Sequence, residues 1–586
     1  MHLEIIIQQL TITGYNMDVQ REEIQANIIM DIIIVTYNSE KWIEMCIDSL
    51  IKAKRLFPDL KLFFVDNHSD DKTVELLNAY KKIGEFSEFK IIQQEQNLGF
   101  GTANNLGASF GTDEIICFLN VDTEVFEDSF ERLNSIILKS CAEIGAWEFR
   151  QMPYEHPKIY DPVTGETSWM SGAAFTVRRA VFEKLQGFDE NIFMYAEDVD
   201  FSWRLRALGY KIQYCPTVGI MHYSYESMGI VKPTQYVNSL INNLLLRYRF
   251  GNLRCILKGY LQFAIVFFLH RQPYSGAKKQ LFEAFKEHFS RIHFFRNGNL
   301  EEKQVGKFLE WDYELTRDAR FKSQRESDFC PLVSVIVRTC QRPEVLREAL
   351  ISIKNQTYSN IEIVVVEDGK PSAEKMIAEE FKDLNIKYYS TEKKVGRSEA
   401  GNLALSKATG QYFNFLDDDD VFFADHIETL VQAINQDRKC LAAYAFGFET
   451  PVIVESTSPY KYDIKAYNKR YTTTFDEVEL CYHNFIPIQC IMFSRCLYDE
   501  LGGFDSSLDY LEDWDLWVRY AQKTTFICVE KTTSMYRVPF EQKVQNARQH
   551  QLDVALNTVR KKHESYKIPV SAAKLAVYGK KRIWEK

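Results

Sequence analysis

Carboxylates gather at a few points of this chain in spacings that suit cation and proton chemistry. Asp417 to Asp420 stand in a row, LDDDD, directly after the apolar run FNF. Two unit charges about 4 Å apart repel by roughly 4 kcal/mol at an effective dielectric near 20, so the cluster needs solvation or a counter-charge. A divalent cation on hard oxygen ligands would supply one. A solvated turn whose last aspartate caps the following helix is the competing reading. The stretch FLNVD places Asn120 and Asp122 after a similar apolar run. Glu197–Asp198 and Glu512–Asp513 each open a helical pattern, VDFSWRLRAL and WDLWVRYA, where the helix dipole favours acids in the first turn whatever their use.

These residues fall into two sets because the chain contains itself twice. DIIIVTYNSEKWIEMCIDSL from Asp31 is echoed by VSVIVRTCQRPEVLREALISI from Val333, and NLGFGTANNLGAS from Asn97 by KVGRSEAGNLALS from Lys394. KLFFVDNHSDDKT, with Asp66, answers IEIVVVEDGKPSA, with Asp368. GFDENIFMYAEDVDFSWRL from Gly187 answers GFDSSLDYLEDWDLWVRYA from Gly503. Separations this long mean two copies of one large domain and not a short solenoid repeat. In each copy β-branched runs alternate with helical patterns, which predicts parallel strands, crossover helices and a sheet buried on both faces. Ligands of such sheets bind beyond the carboxyl ends of the strands. Thr36, Asn38, Asp66, Asn120 and Asp122 all stand directly after strand-like runs, as do Arg338, Thr339, Asp368 and Asp417 to Asp420. The recurrence of that placement in both copies points to a site in each.

The 586 residues, 46% hydrophobic and 26% charged, suit a globular chain of several domains. A net charge of -10 speaks against a protein that coats nucleic acid. Twelve cysteines without a C-x-x-C pair suggest neither a zinc ribbon nor a disulfide framework, as expected in a reducing cytoplasm. The N-terminal stretch MHLEIIIQQLTITG has neither the basic region nor the long apolar core of a signal peptide. YLQFAIVFFL, from Tyr260, is too short to span a bilayer. Residues 230–300 carry eleven Lys or Arg against two Glu in helical patterns, and the last residues are also basic. Such helices suit docking on an anionic membrane surface, with Arg247, Arg254 and Lys258 as the cations involved; ordinary packing on the two domains is the alternative.

Taken in order, these stretches resemble family 2 glycosyltransferases of the GT-A fold. The resemblance covers about 31–230 and 331–530. VTYN, VDNHSDD, NLGFGTANNLG, FLNVDTEV and MYAEDVDFSWRLRALGYKI make the first copy similar to rhamnosyl- and galactofuranosyl-type transferases. VIVRTCQRP, VVEDG, GRSEAGN, FLDDDDVF and EDWDLW make the second similar to a surface-polysaccharide transferase. The resemblance implies an α/β fold of two Rossmann-like GT-A domains, 31–230 and 328–535. An extension (1–30) precedes them, a basic helical connector (231–327) joins them and a basic helical segment (536–586) follows. It implies Asp198 and Asp513 as general bases. It implies nucleotide-sugar contacts at Thr36, Asn38, Asp66, Asn97 and Asn104 in the first half, and at Arg338, Thr339, Asp368, Arg397 and Asn402 in the second. Mg2+ or Mn2+ is expected at Asn120, Asp122 and His222 in one half and at Asp417 and Asp419 in the other. Because Asn120 replaces the first aspartate of the D-x-D pattern, cation dependence is expected to be steeper in the second half. Arg537 is a candidate phosphate contact, and Trp169, Trp203, Trp514 and Trp517 are either sugar platforms or core. The implied activity is inverting transfer of sugars from nucleotide-diphosphate donors, dTDP-rhamnose or a UDP-hexose, to a glycan or lipid-linked glycan. The alternatives are one active half with the other binding acceptor, or a nucleotide-binding scaffold without turnover.

Overall fold

The computed structural model describes residues 28–223, 232–296, 316–318, 329–572 and 574–576. Most of the expected N-terminal extension, parts of the connector and the last residues lie outside this range. In the first half nine strands form one sheet: β1 (Met30–Thr36), β2 (Leu60–Asp66), β3 (Glu88–Gln93), β4 (Ile115–Leu119), β5 (Thr123–Val125), β6 (Ile144–Met152), β7 (Glu166–Thr167), β8 (Ala174–Arg178) and β9 (Lys211–His222). Their order is β3-β2-β1-β4-β8-β6-β9-β5, with β7 on β9.

The second half repeats this order with ten strands. They are β10 (Val333–Thr339), β11 (Ile361–Glu367), β12 (Ile386–Ser390), β13 (Tyr412–Asp417), β14 (Val421–Phe422), β15 (Ala442–Thr457), β16 (Tyr460–Ile464), β17 (Asn468–Tyr471), β18 (Ile491–Ser494) and β19 (Phe526–Pro539). They lie as β12-β11-β10-β13-β18-β15-β19-β14, with β16 and β17 added on β15. The duplication is thus one of topology as well as sequence. In each half the chain runs outward through three parallel strands, then returns to pair β4 with β1, or β13 with β10. That reversal opens a crevice at the carboxyl ends of the two central strands.

Side-chain alternation explains why the central strands read as unbroken apolar runs. Ile32 and Ile34 of β1 join one core cluster with Ile43 and Leu50, while Ile33 joins another with Phe63 and Phe118 on the opposite face. Val335, Val337 and Ile336 of β10 divide in the same way. Sheets covered on both faces by helices require this pattern.

Eight helices bear on the sites: α1 (Phe100–Ala108), α2 (Glu197–Ala207), α3 (Pro233–Phe250), α4 (Leu253–Phe268), α5 (Ala277–Arg296), α6 (Arg397–Lys407), α7 (Glu512–Tyr520) and α8 (Gln542–His563). Helices α3 and α8 follow the two copies and play matching parts. Arg249 of α3 pairs with Asp189 and Asp200, and Lys562 of α8 pairs with Asp505 and Asp515 at 2.6 and 2.8 Å. The repeated unit therefore extends one helix past the point where sequence similarity fades, and Lys562 of the basic C-terminal segment is spent on packing.

The halves meet across a buried interface. Ile159, Tyr160 and Tyr214 pack against Val421, Phe423, Phe448 and Met535. Beside them lies a group of buried charges. Arg317, from the segment between the halves, reaches Glu155 at 3.1 Å and Asp425 at 3.2 Å, and Lys531 pairs with both of these acids. Arg150 meets Glu428 across the same interface at 2.8 Å. Breaking a buried pair by removing one partner typically costs about 3–5 kcal/mol, because the remaining charge is left without compensation.

Candidate active sites

In the first cleft β1 ends at Thr36, whose buried hydroxyl donates to Asp66 Oδ1 at 3.0 Å. Asp66 also accepts from the Ser69 hydroxyl at 2.6 Å and the Ser69 amide at 3.1 Å, so its oxygens close the turn after β2. Asn67 stands one residue further on. Its Oδ1 accepts from the Leu98 amide at 2.8 Å, and its Nδ2 donates to Asn97 Oδ1 at 2.8 Å. Asn38 is exposed, and its Oδ1 accepts from the Asp70 amide at 2.9 Å.

Asp368 does in the second cleft what Asn67 does in the first, accepting from the amides of Val395 at 2.7 Å and Gly396 at 3.0 Å. The strand registers confirm that equivalence: Thr36 pairs with Asp66, and Thr339 with Glu367. The expected match of Asp66 to Asp368 is therefore one residue out of step. Aligning by residue type put aspartate on aspartate, whereas strand ends put Asp66 on Glu367. One cleft thus offers an amide where the other offers a carboxylate.

The expected contacts Asn104 and Asn402 are also corrected. Asn104 is buried, and its Nδ2 donates within α1 to the Phe100 carbonyl at 3.0 Å. Asn402 spends both ends of its amide on the Phe504 backbone, at 2.9 and 2.8 Å, and Asn105 does the same with Phe188. The Asn105 and Asn402 side chains lock α1 and α6 to the glycine-phenylalanine turns. Gly99 and Gly396 precede α1 and α6 at φ 82 and 98, a left-handed conformation that glycine adopts without strain. Arg397 opens α6 with its guanidinium half exposed, 3.9 Å from Glu512 and over the Tyr510 ring.

Pairing of β5 with β9 places Thr123 opposite His222 and so brings that histidine beside Asp122. His222 Nε2 lies 3.4 Å from Asp122 Oδ1, and its Nδ1 contacts Gln151 Oε1 at 3.0 Å. An amide oxygen can only accept, so with this placement Nδ1 carries a proton, and Nε2 is turned toward Asp122. Burial pushes the Asp122 carboxyl up, but the His222 contact outweighs it and holds the group below the usual range. A carboxylate oxygen and an imidazole nitrogen that converge in this way fit Mn2+ better than Mg2+, which favours oxygen alone. Asn120 lies at the same strand end, where its carbonyl accepts from the Thr123 hydroxyl at 2.6 Å. Among the described residues no cluster of three or more His, Cys, Asp or Glu forms a closed metal cage.

Three of the four aspartates of the second cleft, Asp417 to Asp419, face arginine side chains. Arg338 grips both oxygens of Asp417, at 2.7 and 2.8 Å, and reaches Glu512 at 3.1 Å. Burial would raise Asp417, but Arg338 holds it below the usual carboxylate range. Asp418 accepts from Thr339 at 2.6 Å and pairs with Arg342, whose Nη1 lies 3.2 Å from Asp419. Burial and then the charge of Asp419 push Asp418 up to about 7. Asp420 accepts the Arg537 amide at 3.0 Å. Arg537 itself is buried, with Nη1 against Glu348 and Nε against the Asp419 carbonyl. Asp419, 41% exposed, keeps the most open carboxylate of the four.

Asp198 and Asp513 sit at matching places in the first turns of α2 and α7. The residues before the Glu–Asp pairs, Ala196 and Leu511, are left-handed at φ 71 and 62. Non-glycine residues held there store strain, which tends to gather at functional sites. Asp198 accepts from the amides of Gly172 at 2.9 Å and Val199 at 2.8 Å. Asp513 accepts from the Trp514 amide and from Asn484 Nδ2, both at 2.8 Å. Burial raises Asp198; burial and then the charge of Glu512 push Asp513 up to about 7. Glu197 rises to about 8 through burial and its Asp198 neighbour. Carboxylates tuned toward neutrality are suited to proton transfer. Trp169, Trp203, Trp514 and Trp517 are all buried and belong to the core. Sequence reasoning missed Asn67, Gln151, Arg342 and Asn484. Of these only Asn67, beside Asp66, lay next to a residue already singled out.

Two α/β sheets, each with a crevice at its strand reversal and a buried acid at a helix start, define a pair of GT-A domains. The family model for glycosyl transferase family 2 matches twice, at residues 31–198 and 334–502, together more than half of the chain. The chain belongs to that family, with its domain in tandem. It is similar to an uncharacterized glycosyltransferase of Rickettsia typhi, 30% identical over 199 residues, 33% of this chain and 60% of that protein. It is also 30% identical over 212 residues to the O-antigen chain rhamnosyltransferase RfbN of Salmonella typhimurium, 33% of this chain and 65% of that one. The matched stretch thus spans less than two thirds of either relative. Among solved structures it is similar to a mannosyltransferase of Pyrobaculum calidifontis in complex with GDP-Man and Mn2+. That match has 15% identity and a TM-score of 0.30, covering 48% of this chain and 86% of the other.

Proposed function

We propose that the chain is a bifunctional inverting glycosyltransferase working in the cytoplasm. Each half would transfer a sugar from a nucleotide-diphosphate donor, dTDP-rhamnose or a UDP-hexose, to a growing cell-surface glycan of O-antigen or capsule type. The observation that carries this reading is the duplicated carboxylate, Asp198 and Asp513, half-buried after a strained turn and raised above the usual carboxylate range in both halves. In each cleft the carboxylate takes the proton of the acceptor hydroxyl as that oxygen bonds to the anomeric carbon. The bond from that carbon to the diphosphate breaks, and the nucleoside diphosphate leaves with the electron pair. Gly172 and Val199 orient the base in one half, Trp514 and Asn484 in the other. Asp122 and His222 would hold a divalent cation in the first cleft, and Asp419 is the most open ligand in the second. When bound, the cation would neutralise charge gathering on the leaving diphosphate.

A second reading keeps the first half catalytic and makes the second an acceptor-binding module. The double grip of Arg338 on Asp417 favours it, because that carboxylate is already neutralised. Nucleoside diphosphate release from a panel of sugar nucleotides separates the two. Under the bifunctional reading Asp198→Asn and Asp513→Asn each abolish a different donor's turnover. Under the second reading Asp513→Asn leaves all turnover intact.

A further inference from the structure

Helices α4 and α5 turn an unusually apolar face outward. On α4, Leu253, Leu257 and Leu261 are 70, 60 and 62% exposed, and Phe268 and Leu269 at its end are 70 and 78% exposed. A four-residue step keeps these leucines on one face, while Cys255, Gly259 and Phe263 point inward. The face continues onto α5, where Phe282 and Phe289 are 46 and 55% exposed; Phe267 touches Phe282, and Phe263 stacks on Phe285. Exposed cations rim it: Arg254 and Lys258 on α4, Lys278 beside Phe267, and Lys286 over Phe282. Helix α4 contains no acidic residue, although the chain as a whole carries a net charge of -10.

We infer that this face docks on an anionic lipid surface, with the leucines and phenylalanines set among the acyl chains and the cations at the headgroups. An apolar stripe bordered by Lys and Arg is the arrangement by which helices lie in a membrane interface. No described helix is long and apolar enough to cross a bilayer, so the attachment is peripheral. A second copy of the chain fits less well, because self-association through this face would bring like cations together. Arg247 takes no part: it is fully buried and donates to Asn243, Gln262 and the Cys255 carbonyl, so the sequence-based choice of that cation is corrected. The location has a use. Asn242 of α3 donates to the carbonyls of Met194 and Tyr195, at 3.2 and 2.7 Å, just ahead of the Glu197–Asp198 pair. The docking helices thereby share a base with the segment that carries the first cleft's acid, close to where a lipid-linked acceptor would lie. The docking stands on the surface alone, independent of which sugars are transferred.

The test is co-sedimentation of the full chain with vesicles of phosphatidylcholine alone or mixed with phosphatidylglycerol, at low and high salt. The wild type is expected to pellet with the anionic vesicles at low salt, to leave them at high salt, and to ignore the neutral ones. Arg254→Glu with Lys258→Glu should lower partitioning about tenfold or more. Leu257→Asp with Leu261→Asp should abolish it, while Lys375→Glu, a remote exposed cation, should change nothing. Unaltered melting and donor hydrolysis show that the variants are folded. Wild type that stays in the supernatant at low salt overturns the inference, as does equal binding to neutral vesicles. A light-scattering dimer that the leucine variants dissolve, without vesicle binding by the wild type, would assign the face to a second copy instead.

Discussion

The hydrogen bond from Asn484 to Asp513 allows the proposed base of the second cleft to be tested through its titration. Burial, and then the charge of Glu512, place Asp513 at about 7, against the pull of the Trp514 amide, Arg338 and Asn484. A carboxyl raised in this way is free to accept a proton only above that value, so the second-half rate should fall as pH drops through about 7. Asn484→Ala removes a donor 2.8 Å from the carboxylate. A hydrogen bond to a charged group is worth about 1.5–3 kcal/mol, and one pKa unit about 1.4 kcal/mol, so the apparent pKa should climb by roughly one to two units. Near neutral pH the ionised fraction then falls from about one half to between about a tenth and a hundredth, a rate loss of about five- to fiftyfold. Alkaline buffer should restore that loss. Asp513→Asn should instead cost about 10²–10⁴-fold at every pH. The assay is release of nucleoside diphosphate against pH for the wild type and both variants. A loss in Asn484→Ala that is uniform across pH would refute the reasoning. So would an acidic limb that survives Asp513→Asn.

Three further outcomes follow from the two clefts and their interface. Asp198→Asn should lose about 10²–10⁴-fold in first-half transfer and leave second-half turnover unchanged, read with each half's own donor. EDTA should slow the first half more than the second, and His222→Ala should raise the Mn2+ concentration needed for half-maximal rate, because arginines already balance the second cleft's aspartates. This reverses the order expected from counting carboxylates, and equal EDTA sensitivity of the halves would count against it. Arg317→Ala should destabilise the chain by about 3 kcal/mol in denaturant unfolding, since Lys531 alone is then left to balance both Glu155 and Asp425. Asp425→Leu combined with Lys531→Leu should cost less, because both charges leave together.

The central strands were legible because period-two burial on two faces leaves a plain apolar run, as in IIIV and IVVV, and because the order of stretches recurs in both halves. The strand-end position of Asp122 and of Asp417 to Asp420, and the helix-start position of the Glu–Asp pairs, followed from the same pattern. What stayed hidden depends on partners far away in sequence. No local signal says that Arg338 will grip Asp417, because that pairing comes from the register of β10 and β13. Nor does one say that Asn484 will reach Asp513, 29 residues on. The slip between Asp66 and Asp368 arose because residue type is visible in a sequence and strand register is not. Asn402 looked like a ligand group because a polar residue on a helix near the site carries no mark of being used up by the Phe504 backbone.

The shared charges of Glu155, Arg317, Asp425 and Lys531 constrain how this gene can change. Arg317 comes from the stretch between the halves, and its partners come one from each. Cutting the chain there would part Glu155 from Lys531 and expose the apolar contact of Tyr160 and Tyr214 with Phe423 and Met535 to water. The two clefts are therefore inherited together and produced in a fixed ratio of one to one.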